Sequence, residues 1–242
     1  MRGTLGAVLL LLVACQPATE GIKVAVAANL LLPLEEIVAS YEQKHTEKVL
    51  LIPGASGSLM TQIENGAPFD LFISANERFA KHLHQKERLA SNPKNLIQGR
   101  LLLWRKADLP NLALDNELDA GVKVAIADPE LAPYGAAAKE YLIEQGLWEA
   151  IQPNLVVGKS VGQVNQYLRA AVVDYAFTAP AAQSIDSLLV DGHWQSLSVS
   201  IRLDHPFMLL KEAKPEAQLF MDYLEEVEAL AIFSKHGYLL KR

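Results

Sequence analysis

Beyond an apolar N-terminal run, hydrophobic and polar positions switch repeatedly between a period of two and a period near 3.6. Short β-rich runs at Ile22 to Ala27, Val49 to Ile52, Leu71 to Ile73, Leu101 to Trp104, Val122 to Ala127, Leu155 to Val157 and Tyr175 to Thr178 predict strands. Between them the spacing turns helical. Leu34, Ile37, Val38 and Tyr41 mark the inner face of a helix over 33–43, and similar patterns predict helices over 58–64, 77–86, 135–144 and 162–171. A last helical stretch, 216–236, ends at Gly237, a residue suited to stopping a helix. Strands alternating with helices predict an α/β protein with mixed, mostly parallel sheets covered by helices on both faces.

The N-terminus follows a different pattern. Residues 1–14 hold one basic residue, Arg2, and then an apolar core too short to span a bilayer, which reads as an export signal. Leu12-Val13-Ala14-Cys15 resembles the lipobox of bacterial lipoproteins. The resemblance implies cleavage before Cys15, acylation of its thiol and new amino group, and a polar tether over 15–20; the alternative is an ordinary secretory peptide. Cys15 is the only cysteine, so lipidation would leave no free thiol, as suits an oxidising exterior compartment. Residues 1–14 are therefore set aside from the fold. The formal charge of −6, with no basic run, excludes an extended nucleic-acid surface. Net acidity does not exclude an anionic ligand, because local dipoles decide what sits in a dry pocket.

Gly54-Ala55-Ser56-Gly57-Ser58 lies between the strand at Val49 to Ile52 and a helix carrying Leu59, Met60 and Ile63. A glycine-rich strand-to-helix turn leaves backbone N–H groups unpaired, and the helix dipole adds positive potential, which makes a seat for an anion. Three more strand ends repeat this. They are Ala27-Ala28-Asn29, then Asp128-Pro129-Glu130 with Ala132-Pro133-Tyr134-Gly135, and Gly158-Lys159-Ser160-Val161-Gly162-Gln163. Asn29, Ser56 and Tyr134 could add side-chain donors. Seats in both halves of the chain predict two α/β lobes facing a ligand cleft beyond the carboxyl ends of the strands. Asp128 and Glu130 read as structural caps.

Enzyme signatures fail in turn. The Ser56 turn lacks the closing glycine of a hydrolase nucleophile elbow, and Pro153 stands where a phosphate loop ending at Lys159-Ser160 needs its first glycine. No G-x-G-x-x-G occurs, and the six histidines show no metal-ligand spacing. No catalytic residues and no direct metal ligands are expected, and no cofactor.

The ordered set Ala27-Ala28-Asn29-Leu30, Gly54-Ala55-Ser56-Gly57, residues 62–70 ending Ala67-Pro68-Phe69-Asp70, Phe72 to Glu77, Asp128-Pro129-Glu130, Ala132 to Gly135, Gly146-Leu147-Trp148, Ser160 to Gln163, and Phe233, Gly237 and Tyr238 resembles the periplasmic molybdate-binding proteins of ABC importers. The resemblance spans nearly all of residues 22–242. It implies a two-lobed periplasmic-binding-protein fold, type II-like, holding one tetrahedral dianion in the cleft. Lobe I would comprise 21–98 plus 200–242 and lobe II 99–199, with hinges around 99–101 and 198–202. The implied oxyanion contacts are Asn29, Ser56, Tyr134 and the backbone N–H of Val161, with the Ala28 amide as a further one. Many relatives carry serine at Asn29 and a tyrosine donor at Thr178, whereas Asn29 with Tyr134 matches a second branch; the role of Thr178 stays open. The implied partners are molybdate or tungstate and an ABC permease, with a lipid anchor on Cys15 and a monomer at the periplasmic face or cell surface.

Molybdate is fully deprotonated near neutral pH, so its oxygens only accept, and a selective pocket should offer donors without a carboxylate. A generic sulfate-like oxyanion binder, an enzyme acting on a phosphate-bearing substrate and a ligand-sensing module of the same fold are the alternatives left open by the residues.

Overall fold

The computed structural model of this chain describes residues 21–111, 121–184 and 191–241. The export segment, the tether and Cys15 lie outside these residues. The strands are β1 (Ile22–Ala27), β2 (Val49–Gly54), β3 (Leu71–Ile73), β4 (Lys94–Gln98), β5 (Leu101–Lys106), β6 (Val124–Ala127), β7 (Leu155–Gly158), β8 (Tyr175–Thr178), β9 (Gly192–Leu197), β10 (Asp204–Leu209) and β11 (Leu239–Leu240). The helices are α1 (Leu31–Lys44), α2 (Ser56–Glu64), α3 (Glu77–Gln85), α4 (Pro133–Glu144), α5 (Trp148–Ile151), α6 (Val161–Arg169), α7 (Ala217–Tyr223) and α8 (Val227–Lys235), with a 3-10 turn over Ala28–Leu30 before α1.

Two mixed sheets form, ordered β11-β4-β10-β3-β1-β2 and β7-β6-β8-β5-β9. Each has a parallel part whose strand ends stand level, Ala27 beside Gly54 in the first sheet and Ala127 beside Gly158 in the second. Helices cover both faces of the first sheet: Leu34, Ile37, Tyr41, Phe220 and Phe233 pack in one cluster, and Leu59, Ile63, Phe79 and Leu83 in another. The second sheet is buried with Leu142, Val164 and Leu168 from α4 and α6. This is the two-lobed α/β architecture with a cleft, although the sheets are mixed rather than mostly parallel. β1 pairs β2 and β3, and β6 pairs β7 and β8, in parallel, while β10 with β3 and β4, β11 with β4, and β5 with β8 and β9 run antiparallel.

The chain passes from the first sheet to the second at Gly99 and Arg100 and returns through 198–203. Gly99 N–H donates to the Leu203 carbonyl (2.8 Å), which joins the two crossings.

Several expectations differ from what forms. The stretch predicted as one helix over 216–236 is two, because Glu226 is extended (φ −70°, ψ 153°). The break lets Phe220 and Tyr223 on one helix and Ile232 and Phe233 on the other face the same core. Strands β4, β9, β10 and β11 were not expected. β10 is fully buried although it opens Asp204-His205-Pro206. Pro206 is accommodated at a register shift against β4, and Asp204 is paired with Lys241 (2.6 Å) and Arg202 (2.9 Å). Helices expected to start at Ser58, Gly135 and Gly162 begin one or two residues earlier, at Ser56, Pro133 and Val161. The shift places Ser56, Tyr134 and Val161 in first turns, where backbone N–H groups have no intrahelical acceptor. Gly237 ends the last helix with φ +83°, as a left-handed stop requires.

Candidate oxyanion site between the lobes

The helix starts after β1, β2, β6 and β7 converge on one small cavity of about 10 Å³. Its walls are Ala27, Ala28, Asn29, Gly54, Ala55, Ser56 and Ala75 from the first-sheet side and Ala132, Pro133, Tyr134, Ser160 and Val161 from the second. All five residues expected to meet an oxyanion, Ala28, Asn29, Ser56, Tyr134 and Val161, line this space. Thr178 does not: it is fully buried in β8, and its Oγ1 donates to Asn165 Oδ1 (2.6 Å).

None of α2, α4 and α6 has a side-chain cap on its N-terminus. Ser160 stands at the N-cap of α6 and makes no capping bond, and the Val161 N–H, at the first helical position, has no intrahelical acceptor in any case. Ser56 is almost wholly buried, and its Oγ accepts from the Ala75 N–H (3.1 Å). A hydroxyl used as an acceptor retains its proton for donation, so Ser56 can present both O–H and N–H to an anion.

Tyr134 is 1% exposed, and its Oη makes no hydrogen bond of ordinary geometry among the described residues, although the Tyr238 hydroxyl stands beside it. Burial, with a smaller contribution from the neighbouring Tyr238 phenol, pushes its pKa well above the ordinary value of 10.0. The group is therefore a neutral donor with no well-placed acceptor, a costly state in a protein interior. Gly99 makes room for it. A Cβ on Gly99 would stand 2.0 Å from Tyr134 Oη and 2.9 Å from His205 Cε1.

Asn29 behaves differently from the expectation of a side-chain donor aimed at the ligand. Its Nδ2 lies 2.8 Å from His205 Nε2 and donates to Tyr238 Oη (3.1 Å), while Tyr238 Oη donates to the Asn29 carbonyl (2.6 Å). In this arrangement both amide protons are engaged inside the protein. His205 and Tyr238 thus form a buried layer behind the cavity. Tyr238 belongs to the tail that carried the sequence resemblance, whereas nothing in the spacing of His205 marked it out.

The cavity walls contain no Lys, Arg, Asp or Glu. Asp128 lies outside them, and its Oδ1 accepts from the Glu130 N–H (2.8 Å), capping the turn before α4 as expected. Among the described residues no group of three His, Cys, Asp or Glu stands together as for a bound metal ion. Two hydrogen bonds cross the cleft beside the cavity, from Gly57 N–H to the Leu131 carbonyl (2.9 Å) and from Arg78 Nη2 to the Glu130 carbonyl (3.0 Å). A donor lining of this kind suits one small acceptor-only solute, and as it stands the space is about that of one water molecule. It is far below the several hundred Å³ usual for organic ligands.

A family model described as bacterial extracellular solute-binding protein matches residues 22–239. The chain is 32% identical to the molybdate-binding protein ModA of Azotobacter vinelandii over 95% of this chain and 94% of that one. It is 33% identical to the molybdate-binding protein ModA of Rhodobacter capsulatus, covering 92% and 90% of the two. Among solved structures, the periplasmic molybdate-binding protein of Azotobacter vinelandii superposes with a TM-score of 0.81 at 28% identity, over 91% of this chain and all of that one.

Proposed function

We propose that this chain, which belongs to the bacterial extracellular solute-binding protein family, captures molybdate, and tungstate equally, outside the cytoplasmic membrane and delivers it to an ABC permease. The observation that carries the reading is the convergence of uncapped helix starts and the poorly paired Tyr134 hydroxyl on a cavity without charged walls. A fully deprotonated dianion matches a donor-only lining. Phosphate, which keeps a proton near neutral pH, would gain from an acceptor that this lining does not supply.

Ser56 contributes O–H and N–H, Tyr134 its O–H, Val161 and Ala28 their backbone N–H groups, and Asn29 its backbone N–H together with its side-chain amide once that turns to the ion. Charge-assisted hydrogen bonds contribute roughly 1.5–3 kcal/mol each. About six of them, less desolvation and ordering costs, are consistent with roughly −8 to −12 kcal/mol of binding. Neutral donors also avoid the cost of burying a cation. Lobe I comprises 21–98 plus 200–242 and lobe II 99–199, and they part at the two crossings to admit the ion. The protein works as a monomer that binds rather than turns over its ligand, tethered at the membrane face through acyl chains on Cys15.

Titration calorimetry with molybdate, tungstate, sulfate and phosphate tests the reading. Molybdate and tungstate should bind alike, with sulfate and phosphate much weaker. Sulfate binding as tight as molybdate would replace it with a generic oxyanion protein. Absence of heat with all four would remove the site. Mass spectrometry of the membrane fraction reads the acylation of Cys15.

A further inference from the structure

The Asn29 side chain sits between two hydrogen-bond arrangements that cannot coexist. Tyr238 Oη commits its only proton to the Asn29 carbonyl (2.6 Å), so toward Asn29 Nδ2 it offers a lone pair (3.1 Å). That favours the observed orientation, with Nδ2 also 2.8 Å from His205 Nε2. In that orientation Nε2 must accept, so a neutral imidazole carries its proton on Nδ1. Nδ1 is buried and has no hydrogen-bond partner among the described residues. The nearby Leu203 carbonyl favours a proton on the ring, but it accepts from the Gly99 N–H (2.8 Å) and makes no bond of ordinary geometry with Nδ1. An orphaned buried N–H costs more than a bare ring nitrogen.

Turning the Asn29 amide by half a rotation reverses every role. Oδ1 would then accept from a proton on His205 Nε2, Nδ1 would be left with only a lone pair, and Nδ2 would be freed from both interior partners. The bond from Nδ2 to Tyr238 would be lost. Without an anion the turned state loses that bond, sets Oδ1 against a lone pair of Tyr238 Oη and leaves Nδ2 without an interior acceptor. With an anion Nδ2 gains a charged acceptor, so a charge in the cavity decides between the two states. A dianion repels a carbonyl oxygen and attracts an amide N–H.

We propose that His205 is a positioning residue for the oxyanion site: in the loaded protein it holds its proton on Nε2, donates to Asn29 Oδ1 and thereby aims the Asn29 amide N–H at the anion. This rests on the molybdate reading above. The imidazole never touches the ligand and acts only through Asn29, so the ligand-bound and ligand-free proteins differ in tautomer. The change moves no proton to or from solvent overall. The ring passes from Nδ1–H to Nε2–H as the amide turns.

The test is nitrogen NMR of the full mature chain labelled with 15N-histidine, free and saturated with sodium molybdate, since protonated and bare ring nitrogens differ widely in shift. His205 is assigned by its loss in His205→Gln, or by elimination using single replacements of the other five histidines. The expected result is Nδ1–H in the free protein and Nε2–H in the loaded one. Calorimetry supplies a second readout. His205→Leu should weaken molybdate about tenfold or more, His205→Gln, which keeps a donor, should stay within about threefold, and His205→Leu should add nothing in an Asn29→Ala background. A loaded protein with Nδ1–H, or losses that multiply in the double variant, overturns the inference while leaving molybdate binding intact. A wild-type chain that gives no heat with molybdate overturns the functional reading as well.

Discussion

Replacing Tyr134 with phenylalanine should move affinity and stability in opposite directions. The hydroxyl is buried and meets no described residue at ordinary hydrogen-bond geometry, with only the Tyr238 hydroxyl beside it, so in the ligand-free protein its desolvation is poorly compensated. Leaving a buried polar group unsatisfied costs about 1–3 kcal/mol. Deleting the oxygen removes that cost and leaves only a small void against Gly99, where it is tightly seated. The ligand-free Tyr134→Phe protein is therefore expected to be as stable as the parent or up to about 1 kcal/mol more stable. In the proposed loaded state the same oxygen donates to a dianion, a bond contributing about 1.5–3 kcal/mol. Affinity for molybdate should fall roughly tenfold to hundredfold. Guanidinium unfolding of the ion-free protein gives the first quantity and titration calorimetry the second. If the variant loses stability while its dissociation constant stays put, the hydroxyl serves packing and its assignment to the anion is wrong.

Further outcomes follow from the same geometry. Ser56→Ala should weaken molybdate by about 1.5–3 kcal/mol and, because the Ala75 N–H loses its acceptor, also destabilise the free protein by about 1–3 kcal/mol; the same two assays separate these effects. Gly99→Ala forces Tyr134 Oη and His205 aside, so about tenfold or greater loss of affinity is expected with about 1–3 kcal/mol of destabilisation, and an unchanged titration would mean that the crossing yields freely. Burial lowers His205 from 6.5 to about 3. The unfolded chain then takes up a proton that the folded chain refuses, and stability declines as pH falls from 6.5 toward 3 while this contribution is flat above. The full effect is on the order of 5 kcal/mol. Unfolding curves at about pH 7, 5.5 and 4.5 should slope accordingly, and the His205→Gln protein should slope less.

Local chemistry along the chain was enough for the alternation of strands and helices and for the places where helix starts follow strand ends. A run such as Val49 to Ile52 followed by Gly54-Ala55-Ser56-Gly57 carries its turn and its orphan amides in adjacent residues. The same holds for Ala27-Ala28-Asn29 and for Ser160-Val161-Gly162. Hydrophobic periodicity is a local signal, and with the turn residues it located these strand-to-helix junctions without reference to the rest of the molecule. It failed where burial comes from distant partners. Asp204-His205-Pro206 has no strand pattern of its own, yet β10 is buried because β3 and β4 flank it, Pro206 sits at a register shift, and Lys241 neutralises Asp204. Glu216 to His236 kept one helical period in sequence but needed a break to lay two apolar faces on one core.

The side-chain roles at the cavity were decided only by the fold. Whether Ser56 gives or takes a hydrogen bond depends on Ala75, 19 residues away. Whether Asn29 offers its amide depends on His205 and Tyr238, 176 and 209 residues away. Residue types specify which atoms can donate, but a donor becomes available only when no neighbour has claimed it. That depends on contacts across the whole chain, which no local stretch of sequence contains.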